Sequence, residues 1–356
     1  MVEADTNDPD LGQRVLEKIH KDLCIDEPWT TRGDRWFSWI GHRLAQRVSA
    51  SKPSDDDGIV LSRIEATCVV VADIAAEPSD VVRVLPRINR HAVGSAYTYW
   101  PDTHSISADA VAYVHDQTLE WRTNQLGALA ILQLWLCETE AAWLAEKTGG
   151  RIAVREHPTS GRRLEPDEML NVLDTQFAAD GRKQSLFADK FEMENIAEIT
   201  RQSTSAASLG GDAGGVTIEV PFGDYTSLIQ LNTQEPHRRL GNGLTALLRL
   251  PLTVTPDEAD LLASMLNARE AAGESKATHY GAWCWDIWPT GGPTLAFRAF
   301  MPNSLYRPGI AQDVSYAFIK RAQWADALLN GQVSNVNIWE RLADRFGAAA
   351  PESEED

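Results

Sequence analysis

The residues with the clearest chemical capacity are three histidines around one turn: His91, His104 and His115, with Asp102 and Asp116 beside them. An imidazole within hydrogen-bond reach of a carboxylate makes an acid–base pair, and several such groups together hold a metal. Either use requires these histidines to converge in space. Other candidates carry less. Asp55-Asp56-Asp57-Gly58 has the oxygen density of a calcium loop, but Ile59 stands where a further ligand is needed, so it reads as a solvated loop. Gly210-Gly211-Asp212-Ala213-Gly214-Gly215 lacks the lysine and the following helix of a phosphate loop and reads as a connector. Arg162-Arg163 and His237-Arg238-Arg239 are basic spots for which local ion pairing is expected. There is no His-Glu-x-x-His, no Gly-x-Ser-x-Gly, no Gly-x-Gly-x-x-Gly after a strand and no cysteine cluster with zinc spacing. The sequence therefore assigns no catalytic, cofactor-binding or metal-ligating residue, and no cofactor is expected.

Aromatic residues are the other class able to do specific work. Trp (12) outnumbers Phe (9) and Tyr (7). In the segment 280–288, Trp283, Trp285 and Ile287 alternate onto one face, and Tyr97 and Tyr99 share a face opposite Trp100. Rings on a strand either fill a core or line a groove where an extended peptide adds main-chain bonds to the sheet. Tyr97, Tyr99, Trp283 and Trp285 are accordingly the candidate partner-binding residues. Most of the other tryptophans fall on predicted helices and read as core.

Composition narrows the partners. Lys and Arg number 33 against 51 Asp and Glu, a formal charge of −18, with a hydrophobic fraction of 43%. Nucleic-acid binding needs a row of cations to neutralise phosphates, so it is not expected; neutral or basic partners are favoured. No run reaches the roughly 18 apolar residues of a membrane span, and the closest, Leu126 to Cys137, contains Gln133. The acidic start Met-Val-Glu-Ala-Asp does not read as a signal peptide. Four scattered cysteines without a Cys-x-x-Cys pair read as small core residues in a reducing cytoplasm.

Periodicity supplies the elements. Helical spacing predicts helices over 11–23, 35–48, 81–91, 116–147, 165–178, 187–201, 256–271, 309–330 and 336–346. Alternation predicts strands from Ile59, over 95–100, 105–114, 216–220, 227–232, 243–253, 280–288 and 294–301. Gly149-Gly150 suits a helix C-terminus, and Pro256-Asp257-Glu258 suits a helix start.

This order repeats. Helix, strands, short helix, strand–turn–strand and long helix occur twice, with Asn89 aligned to Asn267 and Trp100-Pro101 to Trp288-Pro289. A short helix ending in Leu/Ile-Asn, an aromatic strand, a turn, a second strand and a long amphipathic helix resemble the type III secretion chaperone-like, or YbjN-like, superfamily. The resemblance is clearest over Leu85–Ala145 and weaker over Val216–Leu329. It implies an α+β fold of two repeated domains, each a twisted antiparallel sheet packed by helices. It also implies binding of a client protein or extended peptide, and dimerisation. The expected division is a terminal segment (1–28), a first domain (29–150), a connector (151–185), a second domain (186–332) and a C-terminal helix with an acidic tail (333–356). Two copies in one chain allow a monomer whose domains pair like protomers, or a homodimer. The leading expectation is a non-enzymatic chaperone-like module. An enzyme with its site near the histidine-bearing hairpin, and a structural adaptor joining two partners, are the alternatives.

Overall fold

The computed structural model describes residues 10–56, 58–91, 93–178, 184–200, 206–209 and 214–331. In chain order the elements are α1 (Leu11–Asp22), β1 (Thr30–Gly33), β2 (Trp36–Ile40), β3 (Ala45–Ala50), β4 (Ser54–Asp56), β5 (Ile59–Ala72), α2 (Pro78–Asn89), β6 (Ala96–Trp100), β7 (Ser105–Val114), α3 (Leu119–Thr148) and β8 (Arg151–Ile152). They continue with α4 (Glu168–Ala178), α5 (Lys190–Thr200), β9 (Ala206–Leu209), β10 (Gly215–Phe222), β11 (Tyr225–Asn232), β12 (Gly243–Arg249), α6 (Pro256–Ala271), β13 (Ala282–Ile287), β14 (Pro293–Pro302) and α7 (Ile310–Asp326). The architecture is α+β, with two antiparallel sheets and seven α-helices among the described residues. The predicted helix over 336–346, both tails and residues 210–213 of the glycine connector lie outside the described residues.

The first sheet runs β1-β2-β3-β5-β7-β6, with β4 and β8 added on β5; the second runs β13-β14-β12-β11-β10-β9. Taken from the opposite end, the second list has the same form as the first: three or four strands in sequence, then the last hairpin with its strands in reversed order. Side chains of β7 divide cleanly. Ile106, Ala108, Ala110 and Ala112 face α3, and their small size lets that helix lie close on the sheet. Buried on most sides, α3 is long and apolar enough to cross a membrane by length and composition, and most of that stretch is packed inside the protein. It ends at Gly149 in the left-handed conformation (φ 63°), whose N–H closes on the carbonyl of Ala145, as the Gly-Gly pair predicts. A capping box between Thr255 and Glu258 starts α6, with Pro256 at its first position.

One predicted helix is wrong. The stripe Trp36, Trp39, Ile40, Leu44 and Val48 fits a helical period, yet 35–48 is the β2–β3 hairpin. Burial alternates through it, with Phe37, Trp39 and Val48 inside and Trp36, Ser38 and Arg47 turned outward. Gly41 is at the turn, where a β-carbon would come within 2.5 Å of the Leu134 side chain. Glycine costs a helix interior about 1 kcal/mol, and the aromatic and β-branched residues around it favour a pleated surface. Pairing with β5 then decides the outcome.

The two sheets meet at their β6 and β13 edges. α2 lies against α6 and β13, while α6 lies against β6. Ala96 and Ala282 touch across the junction. Beyond the end of β6, the backbone of His279 pairs with Val111 of β7 in both directions (2.7 and 3.2 Å). Pro86 sits inside α2 and has no N–H to give the Val82 carbonyl; that carbonyl instead faces the Ser264 hydroxyl of α6 at 3.5 Å. A position that weakens the helix locally thus serves the helix–helix junction.

Candidate binding surfaces

Three of the four candidate partner-binding rings are buried. Tyr97, Tyr99 and Trp283 lie in the core, at 4%, 3% and 0% exposure, so their rings are not available to a partner. Trp283 packs edge-on against Phe297 (5.4 Å between ring centres). Trp285 alone of the four remains half-exposed, with the Arg90 guanidinium 5.4 Å over its ring. Alternation placed these rings on shared faces, but which face meets helices is a tertiary matter.

The edges themselves are also occupied. Asn89 at the end of α2 accepts from the N–H of Tyr97 (2.8 Å) and donates to its carbonyl (3.0 Å). Asn267 of α6 makes the same two bonds with Trp283 of β13, at 2.8 and 3.0 Å. The two asparagines that align in sequence therefore occupy the outward main-chain groups of Tyr97 and Trp283, so an added peptide strand cannot pair at those two residues. Both Trp-Pro pairs enter hairpin turns, though the second hairpin has two more residues between its Asn-bonded residue and its Trp (97 to 100 against 283 to 288).

The histidines do not converge. His104 is exposed at the hairpin tip with φ 45°, and His115 follows the far end of β7, roughly 30 Å away by strand rise. His91, at the end of α2, shares a cleft with His237 instead. Among the described residues no group of three His, Cys, Asp or Glu is placed to hold a metal.

Each sheet carries a groove on the side away from its main helix. On the first sheet a groove of about 490 Å³ is lined by Val69, Trp100, Asp109 and Val111, with Glu65 and Arg155 among its charges. Trp100 donates its Nε1 hydrogen to Ser107 (2.7 Å), and Ser107 donates to Asp109 (2.6 Å). Burial pushes the Asp109 carboxyl up to about 6, against the pull of hydrogen bonds from Ser107 and its neighbours. No imidazole accompanies this chain of bonds, so it fixes the Trp100 ring rather than forming a nucleophile.

On the second sheet a groove of about 370 Å³ is lined by Arg249, Arg298, Asp286, Gln230 and Thr245. Tyr97 lies opposite Ala108 and Trp283 opposite Phe297, so Asp109 and Arg298, the next residues, hold corresponding places. Corresponding positions therefore carry an acid on one sheet and a base on the other. The sequence signal for Arg298 is available in retrospect: a lone arginine inside the apolar alternation Leu295, Phe297, Ala299, Met301.

Between these surfaces lies a dry polar core. Arg321 of α7 donates to both oxygens of Glu270 (2.5 and 2.8 Å) and to the Thr278 carbonyl (2.9 Å), and its guanidinium stacks 3.7 Å over Phe297. Trp283 donates to the same carboxylate (3.0 Å). His279 stands 3.7 Å from Glu270 with no hydrogen-bond partner on either ring nitrogen, and burial lowers its pKa to about 4. All four side chains are closed off from solvent, so the cluster ties α6, α7 and β13 together. Sequence reasoning missed it because its members are spread over 52 positions, from 270 to 321.

No protein-family model, curated protein or solved structure matches this chain.

Proposed function

We propose that this chain is a non-enzymatic, chaperone-like protein-binding module in which two copies of one α+β unit, about 29–150 and 186–332, pair as two protomers of a dimer would. The observation that carries this reading is the reciprocal junction: α2 covers β13, α6 covers β6, and Asn89 and Asn267 close the two edges with the same pair of bonds. The common strand order of the two sheets supports duplication of the unit, and it agrees with the element order that the secretion-chaperone resemblance implies.

With one residue of each inner edge occupied by an asparagine and three of the four candidate rings buried, we assign the client surface to the groove on the first sheet. Its apolar floor and anchored Trp100 suit an extended segment, and the surrounding acidity favours a neutral or basic one. The four thiols are free, which supports a reducing compartment such as the cytoplasm.

Light scattering from a chemically unfolded, aggregating client protein tests the proposal. The intact chain at stoichiometric amounts is expected to suppress the scattering, and Trp100→Ala and Val69→Glu are expected to weaken suppression severalfold with unchanged circular dichroism. No suppression at a large molar excess, or full activity of both folded variants, overturns it.

A further inference from the structure

The second sheet's groove continues into a cleft of about 330 Å³ through shared residues Gln234, Glu235, Thr245 and Arg298. We propose that this continuous cleft is a binding site for a small phosphate-bearing ligand, anchored by Arg298 and flanked by Arg90 and Arg249. This site lies on a different sheet from the client groove and stands independently of it.

Charge accounting leads to the proposal. Asp286 is the buried carboxylate of the cleft, and it is already engaged: Arg249 reaches it through two nitrogens at 3.1 Å, and Arg90 at 3.5 Å. Glu235 lies exposed on the rim, and Arg239 of the adjoining loop is paired with Glu140 (2.6 Å). The Arg298 side chain makes no hydrogen bond or ion pair with any described residue, although it is half-buried in the middle of a strand. In a chain with 51 acids, a structural arginine at a half-buried strand position would be expected to find a carboxylate. The position corresponds to Asp109 in the first sheet, so the fold itself does not require a cation there.

The surroundings show the same positive field. His91 and His237 both titrate below the usual histidine range, first through burial, with Arg298 and Arg239 acting on each and Arg90 and Arg238 also on His91. Guanidinium forks match oxyanions bidentately, and three of them around one cleft exceed what a single carboxylate needs. Gln230, Gln234 and Thr245 add neutral donors. A volume of this size is that of a small-molecule site. A nucleic acid is disfavoured because the −18 charge outside the cleft repels an extended polyanion but tolerates a compact one.

Calorimetric titration of the full chain with inorganic phosphate and with phosphoserine, at low ionic strength, tests this. Saturable binding is expected with a Kd on the order of 0.1–1 mM. Arg298→Gln should weaken it about tenfold or more, Arg298→Lys less, and Arg155→Gln, in the other groove, not at all. Tighter binding of phosphoserine identifies an ester ligand; equal binding identifies free phosphate; either supports the site. Should Arg298→Gln not fold, Arg90→Gln replaces it with the same expected direction. Absence of saturable binding of both probes up to about 10 mM, or wild-type affinity in the folded arginine variants, overturns the proposal.

Discussion

At the scale of residues, the buried polar groups are the points where one substitution should have the largest effect. Glu270 answers Arg321 and Trp283 at once, and removing it strands a guanidinium at 0% exposure. Glu270→Ala is expected to cost about 3–5 kcal/mol in urea unfolding, whereas Glu270→Leu with Arg321→Met should recover much of that loss, because a well-packed apolar pair needs no charge balance. Titration gives a second prediction. The pKa of Asp109 is raised in the fold to about 6 from 3.8, so the folded state binds more protons between those values. Its ionisation therefore penalises stability above pH 6, and the penalty lifts as the pH falls toward 4. Asp109→Asn should stabilise the protein at pH 8 by on the order of 1–3 kcal/mol and by much less at pH 4.5, measured by thermal melts at the two pH values. His279 acts oppositely: its pKa is lowered to about 4 from 6.5, the unfolded chain takes up the proton first, and stability is lost as pH falls through that window.

At the scale of elements, the short helices do more than cover a sheet. Asn89 at the end of α2 and Asn267 in the last turns of α6 each bond the main chain of one edge-strand residue, Tyr97 and Trp283. Asn89→Ala or Asn267→Ala leaves one buried N–H and one buried C=O without partners, a loss of about 2–4 kcal/mol expected in denaturant titration. Replacement of the touching alanines tests the junction differently. Ala282→Leu inserts bulk against Ala96 and is expected to cost about 1–3 kcal/mol, with little change in the isolated sheet's own bonding. Most helices and strands were legible from period and punctuation, including α3 with its Gly149 stop and α6 with its Pro256 start. The β2–β3 hairpin was not, since its apolar residues satisfy both periods and only the neighbouring β5 discriminates. Short strands such as β1 and β4 offer too few residues for alternation to register.

At the scale of the whole molecule, the two sheets are held by a junction built from the same parts on each side. Chains spanning 10–150 and 184–331, expressed apart, would each expose one half of it: α2 with β6, or α6 with β13. They are expected to recombine into a one-to-one complex, or to self-associate, in sedimentation velocity. Two stable, monomeric and mutually indifferent fragments would count against pairing of the copies.

The amino-acid order alone determined most of the longer helices and strands and the correspondence of Asn89 with Asn267, because period, caps and turn residues act over a few neighbours. Only the tertiary structure decided which aromatic faces are buried, that the histidines stand apart, and that Arg90, Arg249 and Arg298 gather around one cleft. Those outcomes depend on which strands pair and which face a helix covers, and local spacing carries no record of either.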